Sequence, residues 1–184
     1  MGRVEYEALV IAESELLEEV EDDTAITVEF IFEMHRRWLG TIYPFAGQRR
    51  QVDLTAPPQG DVPEFRFAHA GYLEANLAKF ESDQLKRLTP CHEENMDVLP
   101  LHLAEVQAEF IMLHPFREGN GRIARWITDL MSLQAGRPLL DYDFEGEDGL
   151  TNRAAYYKAM HIALVKMEYE PLAQIIREAI LRAE

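Results

Sequence analysis

A chain of 184 residues, 47% hydrophobic and 28% charged, is long enough for one domain with a buried core. Its formal net charge of −15 sets it against phosphate backbones and anionic lipid, which excludes a general role on nucleic acid or a membrane surface. The one cysteine, Cys91, excludes an internal disulfide and a cysteine-rich metal site.

The N-terminal stretch MGRVEYEALVIAESELLEEV has early acids and no apolar run of signal-peptide type. Tyr6 stands where an N-myristoylation signal needs Ser or Thr, and no stretch reaches the length of a membrane span. The expectation is a soluble, cytoplasmic protein. Val4 to Glu19 reads as the first helix, its apolar residues set among many acids. Thr27 to Gly40 is the second, with Phe30, Ile31, Met34 and Trp38 on one face and Gly40 as the stop. Residues 48–69 read as a short exposed β-hairpin around APPQGD, whose prolines discourage further pairing. Helical spacing resumes from Ala70 to Leu88 and from Asp97 to Leu113. Arg122 to Gln134 carries Ile123, Trp126, Ile127, Leu130 and Met131 as a one-face stripe, read as core, and Gly136 and Pro138 end it. After the loop DYDFEGEDG come helices from Leu150 to Met167 and from Pro171 to Ala183. The prediction is a mainly α chain, one domain over residues 1–184, with about seven helices and one hairpin.

The connection between two of these helices is HPFREGNGR, His114 to Arg122, and it is mostly polar. Its Gly-Asn-Gly turn lies at a helix N-terminus, where unpaired N–H groups and the helix dipole favour phosphate. Arg122 and Arg125 share a face of that first turn, where cations oppose the dipole. Such a conflict makes sense if an anion belongs between them. Glu118 has the chemistry to hold Mg²⁺ against the same phosphates. His114 takes a proton near neutral pH, while Pro115 and Phe116 anchor and shape the loop. Together these parts suit transfer of a phosphate-containing group to a hydroxyl. Neither a P-loop nor a kinase glycine loop is present.

HPFREGNGRIAR, His114 to Arg125, resembles the signature of the Fic family, H-x-F-x-[DE]-G-N-G-R-x-x-R, at every fixed position. IYPFAG, Ile42 to Gly47, is similar to the segment that precedes the family's flap, and residues 48–69 to the flap itself. The resemblance implies a small helical bundle with a hairpin flap, and transfer of AMP from ATP to a Ser, Thr or Tyr hydroxyl of a target protein. It implies that His114 deprotonates the hydroxyl and that Glu118 binds Mg²⁺. Asn120 and the amides around Gly119 and Gly121 would hold the α-phosphate. Arg122 and Arg125 would hold the β- and γ-phosphates, with Arg122 stabilising the leaving pyrophosphate. Phe116 counts among the nucleotide-binding residues, and Tyr156 and Tyr157 would approach the base. The target would dock on the flap by strand addition.

Many members of the family are restrained by a helix carrying [ST]-x-x-x-E-[GN], whose Glu pairs with the second motif arginine, here Arg125. SELLEE, Ser14 to Glu19, comes closest, with Glu19 in place of Gly or Asn. The alternatives are a separate antitoxin protein that supplies the helix, in a toxin, and an unrestrained enzyme. Rival functions are transfer of another nucleotide or phosphate-containing group, removal of AMP, and a non-catalytic nucleotide-binding module. Plainer readings stand beside some residues. Arg125 and Asp129, at i and i+4, form a surface pair. His102, Glu105 and Glu109 share a helix face, read as a polar face rather than a metal site. ESELLEEVEDD is a solvated face.

Overall fold

A computed structural model describes residues 2–184. α1 (Arg3–Glu19) buries Leu9, Ala12 and Leu16 on the side that lies along α2 (Val28–Leu39). α2 starts where it does because Thr27 is extended and its Oγ1 accepts Phe30 N at 3.1 Å. Glu81 Oε2 takes Val28 N at 2.8 Å from across the chain. Two otherwise orphaned donors of the first turn are thus paired. Ile31, Met34, Trp38 and Leu39 enter the core, and His35 is buried with them.

The expected hairpin at 48–69 is much less paired than its length suggests. β1 (Thr55–Ala56) and β2 (Phe65–Arg66) are antiparallel, with Thr55 opposite Arg66 and Ala56 opposite Phe65. One isolated bridge, Gln59 with Val62, lies near the tip. Phe67 N adds one bond to Leu54 O at 3.2 Å, and Pro57, Pro58 and Pro63 supply no N–H that could extend the ladder. The hairpin's base is secured elsewhere: Ala68 N donates to Met112 O at 3.0 Å and Arg50 N to Pro115 O at 2.8 Å.

The helix expected over 70–88 is a continuous run of mixed winding. A 3₁₀ turn (Ala70–Tyr72) leads into α3 (Leu73–Phe80), a π turn (Glu81–Leu85) and the short α4 (Lys86–Leu88). The π turn includes Glu81, the residue that reaches back to α2. α5 (Leu99–Leu113) is the central helix, with Leu99, Leu103, Val106 and Phe110 fully buried. α6 (Asn120–Gln134) buries the whole stripe Ile123, Trp126, Ile127, Leu130 and Met131, and begins two residues before the expected Arg122. α7 (Gly149–Lys166) and α8 (Glu170–Ala183) close the bundle against α5. With the 70–88 run as one unit, the described residues form seven helices and one hairpin, the mainly α bundle expected.

A buried polar cluster joins three helices beneath the 114–122 loop. Gln107 Nε2 donates to Thr128 Oγ1 and to Tyr142 Oη, both at 3.0 Å. Tyr156 Oη donates to Gln107 Oε1 at 3.2 Å. Buried hydroxyls and amides need such partners, and here pairing them fixes the register of α5, α6 and α7. No helix among the described residues is long and apolar enough to cross a membrane.

Candidate active site

α5 ends at His114, whose backbone is left-handed at φ 47 and ψ 57. The chain then turns back to α6 through a loop held from behind. Asn120 is buried, and its side chain clamps Phe116 at both backbone groups: Oδ1 accepts Phe116 N and Nδ2 donates to Phe116 O, each at 2.9 Å. Phe116 is fully buried and stacks on His35, ring centroids 3.8 Å apart. His35 Nδ1 accepts Gly47 N at 2.8 Å, so the proton sits on Nε2, which donates to Glu118 O at 3.1 Å. Burial pushes the His35 pKa down to about 4, which keeps the ring neutral. Gly119, at φ +86, is the turn residue before α6. A Cβ there would meet Trp38 Cζ3 at 2.6 Å, so both conformation and space require glycine.

The His114 ring stacks on Phe67 of the hairpin, centroids 3.7 Å apart. Its Nδ1 lies 3.3 Å from Ile111 O, an acceptor, so Nδ1 carries the proton and the Nε2 lone pair is left available. Burial pushes its pKa down to about 4, opposed by the Ile111 bond and aided by the Arg50 charge. Arg50 is 1% exposed and has no carboxylate partner among the described residues. Its guanidinium donates to backbone carbonyls instead: Nε to His114 O at 2.7 Å, one Nη to Val52 O at 2.6 Å, and the other Nη to Ala68 O and to Leu113 O, the latter at 3.2 Å. It thereby caps the C-terminus of α5 and ties the hairpin to His114.

Two cavities meet at His114. One, of about 350 Å³, lies between the hairpin and α7 and is largely apolar, with Pro57, Val62, Phe65, Met160 and Leu164 in its wall and His161 as a polar group. The other, of about 530 Å³, is polar and contains the 117–122 turn, Arg125, Phe144, Glu145, Arg153 and Tyr157. Arg122 lies over the Trp38 ring, 4.8 Å from its centroid, and pairs with Glu118 Oε1 at 3.2 Å. The same Oε1 accepts Gly119 N at 3.1 Å. That carboxylate eases the clash between Arg122 and the helix dipole.

The structure brings His114, Glu118, Gly119, Gly121, Arg122, Arg125 and Tyr157 around the polar cavity. Three expected ligand contacts are redirected. Phe116 is sealed in the core and serves as an anchor only. The Asn120 side chain is spent on the Phe116 backbone, so only its N–H end of the helix is offered to an anion. The Tyr156 hydroxyl is held by Gln107 in the core, and the buried residue only borders the apolar cavity. Asp129 forms no surface pair with Arg125; its Oδ1 accepts Leu140 N at 2.9 Å, and burial pushes its pKa up to about 7. Glu105 pairs with Arg87 and Glu109 accepts the Tyr169 hydroxyl at 2.6 Å, which fits the polar-face reading of that helix. On α1, Glu18 is exposed; the acid on which the Arg125 charge acts is Glu13, half-buried one turn earlier.

No group of three or more His, Cys, Asp or Glu residues poised for a metal occurs among the described residues. Glu118 offers a cation one carboxylate from the motif, which suits Mg²⁺ where phosphate oxygens and water complete its shell. Sequence reasoning missed His35 and Arg50, which shape the loop. QRRQ after the Gly47 turn was the available signal for Arg50, and MHRRW on an amphipathic helix gave none for His35.

A model of the Fic/DOC family matches residues 25–132. Protein adenylyltransferase fic-1 of Caenorhabditis elegans is 28% identical over 142 residues, 75% of this chain and 24% of its own length. Protein adenylyltransferase Fic of Nematostella vectensis is 30% identical over 166 residues, 85% of this chain and 32% of its own. The probable protein adenylyltransferase Fic of Salmonella typhimurium is 32% identical over 109 residues, 58% of this chain and 50% of its own. The chain thus spans from about a quarter to half of these relatives. The N-terminal Fic domain of a Bartonella effector protein from Bartonella sp. AR 15-3 superposes with a TM-score of 0.75 at 17% identity, covering 96% of this chain and 79% of that one. BepC from Bartonella tribocorum, with bound AMPPNP, gives 0.70 at 16% identity, covering 95% and 83%. These two show a shared fold.

Proposed function

The chain belongs to the Fic/DOC family, and on that premise we propose that it transfers AMP from ATP to a hydroxyl group of a target protein. The observation that carries the proposal is the placement of His114. Its Nδ1 is engaged by Ile111 O, its remaining nitrogen is an acceptor, and it stands where the apolar and polar cavities meet. In this reading the apolar cavity takes the nucleobase side, and the polar cavity takes the phosphates on the α6 N-terminus.

The chemistry then follows. The target's hydroxyl oxygen attacks the α-phosphorus, a new P–O bond forms, and the bond to the bridging oxygen of the β-phosphate breaks. The hydroxyl proton passes to His114 Nε2 and pyrophosphate leaves. The N–H groups of Asn120 and Gly121, at the start of α6, would face the oxygens on which charge develops, while Gly119 N is taken by Glu118 Oε1. Arg122 and Arg125 bind the charge on the leaving side. Glu118 would hold Mg²⁺ with the phosphate oxygens; when bound, that ion offsets charge on the departing pyrophosphate. Phosphate charge close to His114 also raises its proton affinity above the low value of the free site, toward the range useful for a general base. The hairpin, short of pairing along most of its length, offers backbone to an extended target segment.

The test uses purified protein, Mg²⁺ and lysate with ATP labelled on either the α- or the γ-phosphate. Protein label from the α position and none from the γ position is the expected result. Label from γ alone would replace nucleotidyl by phosphoryl transfer. Absence of label from any nucleotide, with ATP still bound, would favour the non-catalytic module.

Glu13 bears on restraint. Burial raises the pKa of Glu13 and the Arg125 charge opposes that rise, so the Glu13 carboxylate would compete with phosphate for Arg125; the sequence left restraint by Glu18 open. Glu13→Gly is expected to tighten ATP binding in calorimetry, and Glu18→Gly to leave it unchanged. The reverse ranking would return the restraint to Glu18, and no change in either would leave Arg125 unrestrained by α1.

A further inference from the structure

The polar cavity holds four arginines, Arg117, Arg122, Arg125 and Arg153. Of these only Arg122 is held in an ion pair among the described residues. Arg153 is not part of the 114–125 motif and lies beyond residues 25–132, the stretch that the family model matches. It comes from the first turns of α7, and it faces the motif across Phe144. Arg125 and Arg153 both lie over that one ring, 5.6 and 5.1 Å from its centroid.

Phe144 is fixed well enough to place both cations. Its ring stacks on Tyr142 at 5.2 Å and meets Tyr156 edge-on at 5.4 Å. Asn152, beside Arg153, donates from Nδ2 to Asp143 O at 3.1 Å and to Asp143 Oδ2 at 3.0 Å, which joins α7 to the Phe144 loop. Arg153 itself donates one bond, to Phe144 O, at a long 3.4 Å. The rest of its planar fork of N–H donors is left for something else. Two guanidinium groups gathered at one aromatic ring repel each other, and ring contact at an exposed site compensates weakly. Glu13 and Asp129 act on Arg125 through their charge, but no acid forms an ion pair with Arg125 or with Arg153 among the described residues. An anion that spans both resolves this arrangement.

We propose that Arg153 is a further phosphate-binding side chain of this site, which contacts the terminal phosphate of a nucleoside triphosphate and makes the site prefer triphosphate to diphosphate and monophosphate. The proposal rests on the nucleotide reading given above. With the α-phosphate at the Gly119–Gly121 turn and the β-phosphate toward Arg122 and Arg125, the terminal phosphate extends past Arg125 toward Phe144, where it meets Arg153 as well. The bidentate geometry of a guanidinium fits a terminal phosphate, with its three outer oxygens, better than a bridging one.

The test measures dissociation constants of ATP, ADP and AMP by calorimetry for the wild-type chain, Arg153→Gln and Arg153→Lys. Wild type is expected to bind ATP at least about tenfold more tightly than ADP. Arg153→Gln should lose about tenfold for ATP while ADP and AMP stay within about twofold, and Arg153→Lys should recover part of the loss. An unchanged unfolding midpoint in Arg153→Gln accompanies that result, because Arg153 is exposed. Equal losses for all three nucleotides would overturn the proposal and make Arg153 a support for Phe144. Unchanged affinities would overturn it outright. Failure of the wild-type chain to bind any of the three would overturn the nucleotide reading itself, and the proposal with it.

Discussion

His114→Ala is expected to lower the turnover of label transfer by about 10²–10⁴-fold, the usual range for removal of a general base, while ATP affinity stays within about threefold. The separation follows from geometry. The α6 N-terminus and its arginines bind phosphate without the imidazole, whereas Glu118, the other proton acceptor of the motif, is already engaged by Arg122 and by Gly119 N. Pre-steady-state turnover and equilibrium binding, measured on the same samples, check the two halves. Loss of both together would mean that the ring holds the loop rather than the proton. The pH profile gives a second reading. A base whose pKa is lowered to about 4 is neutral, and competent, at every pH above that value. kcat/KM, which reports the free enzyme, should therefore stay level from about pH 5.5 to 8 and fall only as pH drops toward 4. The acid limb of kcat should lie higher, because bound phosphates raise the ring's proton affinity. A kcat/KM limb at the ordinary histidine value would show a solvated ring.

Arg50→Met is expected to give the largest loss of stability of any single substitution described. Four backbone carbonyls, those of Val52, Ala68, Leu113 and His114, accept from this guanidinium. Each carbonyl left buried without a donor costs about 1–3 kcal/mol, and water that enters the gap recovers part of the total. A net loss of about 3–5 kcal/mol is the outcome expected, or roughly 6–20 °C in melting temperature for a chain of this size. Arg50→Lys keeps the charge but lacks the planar fork, so it should recover less than half. Urea unfolding of the three proteins decides the matter. Near-equal stability would mean that the carbonyls find other donors.

Much of the bundle was legible because its signals are local. The stripe from Ile123 to Met131 repeats at helical spacing, and every member is buried. Thr27 and Gly40 delimit α2 by the chemistry of a cap and a stop. The hairpin was overread because extended sequence marks a strand's shape, whereas pairing depends on donors that Pro57, Pro58 and Pro63 lack. The start of α6 was placed late because its opening residues, Asn120 and Gly121, are poor helix formers that tertiary contacts hold in place. The motif was equally local, twelve consecutive residues. Its supports were not. His35 meets Glu118 across 83 positions and Arg50 meets His114 across 64, and in the sequence each resembles an ordinary polar surface residue. Arg153 was hidden for the same reason. Glu13 was passed over because the SELLEE match starts one residue later, at Ser14, and five residues along a helix set the Glu13 side chain well away from that of Glu18.

The loop from His114 to Gly119 is tied from the rear by Asn120, His35 and Arg50, each through backbone groups of the loop itself or of its ends. Such a loop has little conformational freedom left to surrender. A ligand that arrives there meets N–H groups already aimed, so its association is preorganised and the ordering cost of a flexible phosphate loop is avoided. The entropy was spent during folding, on side chains that never touch the ligand, and the hairpin, with so few paired positions, is left as the adaptable partner of a rigid cradle.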